Sequence, residues 1–261
     1  MRTTAGISGT TNPFFLFSFL ISVCMITVIG TGHVFDLAEP VAFIVQHTWP
    51  DAVLIELDKS RYDYLMNHQD AESHDPGKGA SVMYRQASKY QDRVAQAHGA
   101  KVGGEFLAAV NMGKLQGAEI IPIDTNAMQV MNEVWEEMSF SEKMRYRLSG
   151  IGDLFRGGAS AEATQTRFAR DEEAYMADMR RRYPTLVRKL IDERNAYMAE
   201  QINKAALTHS NMVVVVGDGH VEGICALLED PTIRKIRLAD LMDEERMNAV
   251  RRMVYNGDEK I

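Results

Sequence analysis

Apolar residues form five short runs separated by longer segments of mixed polarity. The runs are rich in valine and isoleucine, and most end at glycine or an acidic residue, which is typical of buried β-strands. Strands that alternate with helices predict an α/β fold with a mainly parallel central sheet flanked by helices. Pro122 indicates an edge or strand-end position for the third run. The predicted strands are 24–29, 52–55, 118–123, 211–216 and 233–237.

The segments between these runs are predicted to be mostly helical. A polar stretch with Pro76 and Gly77, residues 67–80, predicts a loop. Glycines and clustered charges at about 139–182 predict a helical insertion with a solvated face. We therefore expect a single domain over residues 24–261 that carries this insertion. The predicted helices are 38–47, 59–66, 81–98, 106–115, 127–138, 184–207, a short helix that ends at 228, and 241–254.

The N-terminal region is the most apolar part of the chain. Residues 14–29 are almost continuously hydrophobic, which approaches the roughly 20 residues of a membrane-spanning helix. The last third of this run is also the first predicted strand, so only about eleven residues precede it. Residues 1–23 are interpreted as an apolar extension that packs on the domain or is disordered; the alternative is a membrane anchor or an uncleaved signal peptide. The prediction is a cytoplasmic or membrane-associated protein.

Composition narrows the classes of function. The chain has 261 residues, of which 46% are hydrophobic and 25% charged, as in a globular protein. Its net charge of -7 disfavours nucleic-acid binding, which requires a basic surface. The two cysteines, Cys24 and Cys225, are too few for a disulfide framework or a cysteine-based zinc site. Both are predicted to be buried as small hydrophobic side chains.

One pentad occurs twice, each time directly after a predicted strand. Residues 30–34 read Gly-Thr-Gly-His-Val, and residues 217–221 read Gly-Asp-Gly-His-Val. Glycine tolerates the backbone angles and close approach of a tight turn, so each pentad predicts a sharp turn that presents a histidine. The two histidines, His33 and His220, therefore suggest one composite site.

Acidic residues follow the other predicted strands. The ends of parallel strands meet along one edge of a sheet, where open α/β sheets bind their ligands. Two neutral imidazoles with one or two carboxylates suit a divalent metal such as zinc, manganese or cobalt. Such a metal can activate water as a nucleophile. The predicted convergence comprises His33, Glu56, Asp58, Asp124 and His220.

Other interpretations of these residues stay open. Each carboxylate can instead cap the following helix, and Arg194 beside Glu193 can be a surface ion pair. Gly217-Asp218-Gly219 with Gly223 is similar to a dinucleotide-binding fingerprint with altered spacing. The first pentad lacks the corresponding third glycine, which weakens that reading.

An ordered set of motifs resembles the TraB family, which includes the pheromone-shutdown (PrgY) proteins and is related to the Tiki and GumN proteins. The resemblance covers roughly residues 26–229. The matching stretches are Val-Ile-Gly-Thr-Gly-His-Val at 28–34, Val-Leu-Ile-Glu-Leu-Asp at 53–58 with Arg61, Gly-Gly-Glu-Phe-Leu-Ala-Ala at 103–109, Ile-Ile-Pro-Ile-Asp at 120–124, Asp-Glu-Arg-Asn at 192–195 and Val-Val-Gly-Asp-Gly-His-Val-Glu-Gly-Ile at 215–224.

The resemblance implies a Tiki-like α/β fold with paired Gly-x-x-His motifs and metal-dependent peptidase activity on a peptide or protein substrate. His33 and His220 match the motif histidines, Glu56 and Glu105 match family acids, and Arg194 matches the family's Glu-Arg. Thr125 stands where the family usually has arginine.

We expect His33, His220 and Glu56 to bind the metal. Glu56 or Glu105 would act as ligand or general base, while Arg61 and Arg194 would orient the acids or stabilise an oxyanion. The alternative is a protein of the pheromone-shutdown kind that sequesters a peptide without cutting it.

Overall fold

The computed structural model describes residues 24–32, 35–67, 103–148, 172–229 and 232–256. They form a sheet whose strand order is β3-β2-β4-β1-β5. Every pairing of neighbouring strands is parallel, which confirms the predicted α/β fold. The extension 1–23, the helix 81–98, most of the loop 67–80 and the middle of the insertion lie outside the described residues. The strands are β1 (Met25–Thr31), β2 (Ala52–Ile55), β3 (Glu119–Pro122), β4 (Asn211–Gly217) and β5 (Ile233–Ile236).

Helices cover both faces of the sheet. None of the helices in the described ranges is long and apolar enough to cross a bilayer. A π-helical turn, Arg188–Asp192, separates the seventh helix from the eighth. The helices are α1 (Ala38–Thr48), α2 (Lys59–Asn67), α3 (Gly104–Gln116), α4 (Ala127–Glu137), α5 (Phe140–Leu148), α6 (Glu172–Arg182), α7 (Pro184–Val187), α8 (Glu193–Ala205), α9 (Asp218–Cys225), α10 (Leu238–Met242) and α11 (Glu244–Asn256).

The alternation of side chains along the strands produces two hydrophobic cores. In β4, Val213 and Val215 join the core shared with α1, α3 and α11. Their neighbours Met212 and Val214 face the opposite way, into the core shared with α8 and α9. Both faces of β4 are fully buried because it lies at the centre of the sheet. Both cysteines are buried, as predicted.

A third, smaller hydrophobic cluster holds together the helices that follow β3. Val134 and Met138 of α4 pack with Tyr146 of α5 and with Tyr183 and Leu186 at the start of α7. Partly buried methionines of α6 pack against the same cluster. The helical character predicted for 139–182 is thus present in its described parts.

Two predicted helices differ in detail from the observed ones. The stretch 184–207 is not one α-helix, because the π-helical turn interrupts it. The terminal stretch is two helices, since Asp243 adopts an extended conformation and its carboxylate caps α11 by accepting from Arg246 N (2.9 Å). Pro122 ends the edge strand β3, as its ring predicts.

Candidate functional site

Side chains from three strand ends meet around one arginine. Glu56 directly follows β2, Asp124 follows β3, and His220 lies in the first turn of α9 after β4. All three are buried. Arg194 of α8 reaches into the space between them, and its side chain is 14% exposed. We call this edge of the sheet, where the strands end, the strand-exit edge.

Arg194 binds Asp124 with a two-pronged ion pair. Its Nε donates to Oδ1 (2.9 Å) and its Nη2 to Oδ2 (2.7 Å). Nη2 also donates to Glu56 Oε1. Burial works to lower the pKa of Arg194, but the charges of Glu56 and Asp124 outweigh it and raise that pKa above its usual value. Arg194 is therefore a permanent buried cation and not a surface ion pair.

Glu56 connects the ends of two neighbouring strands. Its Oε2 accepts from the Gly217 backbone N–H (2.5 Å) at the end of β4, while Oε1 accepts from Arg194. These contacts fix the carboxylate in one orientation. Glu56 thus links β2, β4 and α8, a role different from the helix cap that the sequence also allowed.

Asp58, by contrast, caps a helix. Its Oδ1 accepts from the backbone N–H groups of Ser60 (2.9 Å) and Arg61 (3.1 Å) in the first turn of α2. Asp124 does not cap α4; Asn126 does, by accepting from Gln129 N (2.9 Å). Of the two aspartates that follow strands, Asp58 therefore caps α2 and Asp124 forms the ion pair with Arg194.

His220 presents one ring nitrogen to the site and uses the other to hold its orientation. Nδ1 lies 2.6 Å from Asn195 Oδ1, an acceptor, so Nδ1 carries the proton. Nε2 lies 3.2 Å from Arg194 Nη1, a donor, so its lone pair points toward the site. Nε2 is also 3.4 Å from Glu56 Oε1. Asn195 was not predicted as a site residue, because its only signal in the sequence is its position next to Arg194.

The π-helical turn before α8 contributes to the placement of Arg194. Within it the Glu193 N–H bonds to the carbonyl of Arg188, five residues back. Arg194 Nη1 donates to the Leu190 carbonyl (3.1 Å) inside the same turn. Turns of this kind frequently occur at functional sites because they redirect the following side chains.

The remaining predicted site residues occupy different positions. Arg61 of α2 is 30% exposed, and its Nη1 lies 3.7 Å from Asp124 Oδ2. Glu105 is buried in the first turn of α3. Thr125 donates its backbone N–H to Asp124 Oδ1 (2.8 Å). His33 lies outside the described residues, although the strand before it ends at Thr31, paired with Gly217 of β4.

Glycines of the first pentad and of α9 make room for protein side chains. A Cβ atom on Gly30 would lie 2.2 Å from Asp218 Oδ1, and one on Gly223 would lie 2.0 Å from Asn195 Nδ2. The Asp218 carboxylate is held by Arg237 Nε (2.9 Å) and Nη2 (2.8 Å). A dinucleotide site needs free N–H groups and no negative charge at this turn. Here the Gly217 N–H already donates to the Glu56 carboxylate, and the negatively charged Asp218 is the first residue of α9. The turn therefore does not have the features of a dinucleotide site.

Two described atoms have the spacing of metal ligands. Ligands about 2.1 Å from a tetrahedral metal are roughly 3.4 Å apart, as are His220 Nε2 and Glu56 Oε1. A ligating histidine normally donates its other N–H to a fixed acceptor, as His220 does to Asn195. The described ranges contain no group of three or more potential ligands. A complete site therefore requires a further donor, for which His33 is the predicted residue.

Comparison with known proteins places these residues in a family context. The model of the TraB/PrgY/gumN family matches residues 23–236. The chain is also similar to the uncharacterized protein MJ1365 of Methanocaldococcus jannaschii, with 25% identity over 217 residues. That alignment covers 80% of this chain and 54% of the relative, so the chain spans about half the length of the protein it matches.

Proposed function

The chain belongs to the TraB/PrgY/gumN family, and from this premise we propose that it is a metal-dependent hydrolase that cleaves peptide bonds. The observation that supports the proposal is the buried pair of His220 Nε2 and Glu56 Oε1, 3.4 Å apart. His33 would supply the third protein ligand. The peptide substrate class follows from the family resemblance of the motifs.

The charge of the cluster suits a divalent cation. Among the buried groups, Glu56 and Asp124 contribute two negative charges and Arg194 contributes one positive charge, which leaves a net charge of -1. The partly exposed Arg61, 3.7 Å from Asp124 Oδ2, supplies a further positive charge at the rim of the cluster. A buried negative charge is costly unless a cation compensates it. When bound, a divalent cation supplies Lewis acidity for the attack of water on a carbonyl carbon.

The protein side chains have separate tasks in this proposal. Asn195 holds the His220 ring so that Nε2 faces the ligand position, and Arg194 with the Gly217 N–H holds the Glu56 carboxylate. A preorganised site loses little energy to rearrangement during the reaction. Glu105 remains the second candidate for a general base.

Arg61 is suited to contact the substrate. Arg194 directs its three nitrogens to protein acceptors, whereas the contact of Arg61 with Asp124 is long and its side chain is partly exposed. A guanidinium in this position can donate to a substrate carboxylate or to the oxyanion that forms during hydrolysis.

A second candidate function is peptide binding without cleavage. Arg194 Nη1 and Nη2 contact His220 Nε2 and Glu56 Oε1, the same atoms that a metal would use. The site is thus well satisfied by hydrogen bonds without a metal. A protein of this kind would sequester a peptide and not consume it.

Metal analysis of the purified full chain tests the proposed function. We expect about one equivalent of manganese, cobalt or zinc, and its loss in His33→Ala and in His220→Ala. The control is His209→Ala, because His209 precedes β4 at the opposite edge of the sheet and pairs with Glu119. Unchanged metal content in both site variants would refute the metal site.

Incubation with a diverse peptide library distinguishes the two functions. The hydrolase predicts cleavage that requires added metal and disappears in His220→Ala. Peptide retention on the immobilised full chain, without cleavage under any metal, would instead support the binding protein.

A further inference from the structure

Arg194 uses all of its hydrogen-bonding capacity inside the candidate site. A guanidinium carries five N–H groups, and Arg194 makes five hydrogen bonds, one for each of them. Three of these bonds go to the two oxygens of the Asp124 carboxylate and to the Leu190 carbonyl. The other two go to His220 Nε2 and Glu56 Oε1, the two atoms with the spacing of metal ligands.

The His220 ring can bind either Arg194 or a metal at Nε2, but not both. A neutral imidazole has one nitrogen that donates and one that accepts. Nδ1 donates to Asn195, so Nε2 is the accepting nitrogen, and its single lone pair receives an N–H from Arg194 Nη1 (3.2 Å). A metal bound by His220 would need this same lone pair. The hydrogen bond from Arg194 and the ligation of a metal by His220 therefore exclude each other.

Arg194 also contacts the proposed ligand atom of Glu56. Its Nη2 donates to Oε1, the carboxylate oxygen that lies 3.4 Å from His220 Nε2. A cation at this oxygen repels a second cation, and water screens the repulsion little because Glu56 and His220 are buried. The guanidinium thus bridges the two proposed ligand atoms with its hydrogen bonds and opposes a metal there with its charge.

The two proposed ligands are each fixed by a contact that does not involve Arg194. Asn195, itself buried, holds His220 Nδ1, and the Gly217 N–H holds Glu56 Oε2 (2.5 Å). A shift of either ligand would break that contact in addition to the bond with Arg194. Arg194, by contrast, would keep its three bonds to Asp124 and Leu190 if it released His220 and Glu56. Arg194 is therefore the group that has to withdraw from the ligand atoms.

We propose that Arg194 is an autoinhibitory internal cation that competes with the metal for His220 Nε2 and Glu56 Oε1. This inference rests on the proposed function, because it concerns the regulation of the same site. Metal binding releases two of the five hydrogen bonds of Arg194, while its ion pair with Asp124 remains. Arg194 thereby lowers the metal affinity, so the site binds metal only at a concentration that displaces this internal cation.

Titration calorimetry with zinc, manganese and cobalt on the full chain and on Arg194→Gln tests the competition. Glutamine removes the charge and the bridging N–H groups. We expect metal to bind Arg194→Gln at least roughly tenfold more tightly, because one hydrogen bond to a charged group is already worth about that factor. If Arg194 only orients Glu56, the same substitution would instead weaken metal binding. Arg194→Lys is the second variant in case Arg194→Gln does not fold, and it should show a smaller gain because it keeps the charge.

Arg61→Gln is the matched control for the loss of a positive charge. Arg61 lies at the rim of the cluster, and its contact of 3.7 Å goes to Asp124 Oδ2 and not to either proposed ligand atom. Its removal should tighten metal binding at most about fivefold, the upper limit for a partly exposed charge. Equal gains in Arg61→Gln and Arg194→Gln would show a general effect of charge and would overturn the competition.

Heteronuclear NMR of nitrogen-labelled arginine side chains provides a measurement on the unmodified chain. Saturation with zinc should shift the Nη signals of Arg194, because Nη1 and Nη2 lose their bonds to His220 and Glu56. The Nε–H signal should change less, because its bond to Asp124 persists. Bound zinc that leaves the Nη signals in place would contradict the proposal.

The possible outcomes separate this inference from the proposed function. Equal or weaker metal binding in the Arg194 variants would overturn the inference and leave the metal site standing. Metal binding in the variants but not in the unmodified chain would support the inference and refute the hydrolase proposed for that chain. Absence of metal binding in all of these proteins would overturn both. None of the measurements depends on cleavage of a peptide.

Discussion

His220 and Asn195 are joined by a hydrogen bond of 2.6 Å from imidazole Nδ1–H to amide Oδ1. This bond determines that Nε2 faces Glu56 and Arg194. Asn195 is itself fixed, because its amide packs against Gly223 so closely that a Cβ atom there would overlap it. The orientation of the proposed metal ligand thus depends on a buried asparagine and on a glycine of the following helix.

Asn195→Ala should weaken metal binding. The His220 ring loses its fixed acceptor, and loss of such a partner typically costs 10–100-fold in metal affinity. Titration calorimetry with manganese, cobalt and zinc measures the change. Asn203→Ala on the same helix α8 is the control, since Asn203 contacts the exposed Leu227 carbonyl and Glu229 N–H. Equal affinities in the two variants would show that Asn195 does not orient a ligand.

Gly223→Ala should destabilise the protein in a way that depends on Asn195. The added methyl group would lie 2.0 Å from Asn195 Nδ2, and overpacking of this kind costs about 1–3 kcal/mol. In an Asn195→Ala background the clash disappears, and alanine is the better helix former by roughly 1 kcal/mol. The same substitution should then be neutral or slightly stabilising.

Urea unfolding of the four proteins in this double-mutant cycle measures the coupling. Gly104→Ala is the control, because no heavy atom lies within 4 Å of the added Cβ position. Equal costs of Gly223→Ala in both backgrounds would contradict the close contact.

Arg194→Leu should destabilise the fold strongly. It leaves Glu56 and Asp124 buried without their cation, and breaking one partner of a buried pair costs about 3–5 kcal/mol. Arg194→Lys keeps the charge but loses the two-pronged contact with Asp124, so an intermediate loss is expected. Unfolding in urea at pH 7 measures both.

Arg180→Ala provides the comparison for this result. Arg180 also pairs with an aspartate, Asp192, but both side chains are more than a third exposed. The contribution of such a pair is screened by solvent and should be less than about 1 kcal/mol. A loss in Arg194→Leu as small as that would mean that the buried cluster rearranges or takes up protons.

The strands and the fold class were predictable because burial imposes simple patterns. β2 and β4 are buried on both faces, so they read as continuous apolar runs bounded by polar residues. The strand order was not predicted, since β1 and β4 are neighbours although more than 170 residues separate them. Helix interruptions such as the π-helical turn depend on tertiary contacts and have no local signature.

The polar residues were predictable as a group but not in their roles. Asp58 and Asp124 follow strands in similar sequence contexts, yet the first caps α2 and the second binds Arg194, 70 residues away. Only the tertiary position of α8 distinguishes them. The role of Asn195 was not predicted for the same reason. Asn195 orients the His220 ring, and only the tertiary structure brings these two residues together. Whether His33 completes a metal site stays a prediction.

Glu142 predicts a stability change that depends on pH. Its carboxylate links α5 to α7 by accepting from Ser139 N (3.0 Å), Thr185 N (2.9 Å) and Thr185 Oγ1 (3.0 Å). Burial works to raise its pKa, but these hydrogen bonds lower it below the usual value of 4.5. A lowered pKa means that the ionised carboxylate stabilises the folded state.

The stabilisation by Glu142 should therefore be complete above the pKa of the unfolded chain and disappear as the pH falls through the lower pKa of the folded protein. Glu142→Gln should be less stable than the original protein by about 1–3 kcal/mol at pH 7, because the amide cannot accept all of these bonds. The difference should shrink below about pH 4.5. Urea unfolding between pH 3 and 8 measures it, with exposed Glu136→Gln of α4 as the control. A difference that stays constant over this range would show that the charge of Glu142 does not stabilise the junction.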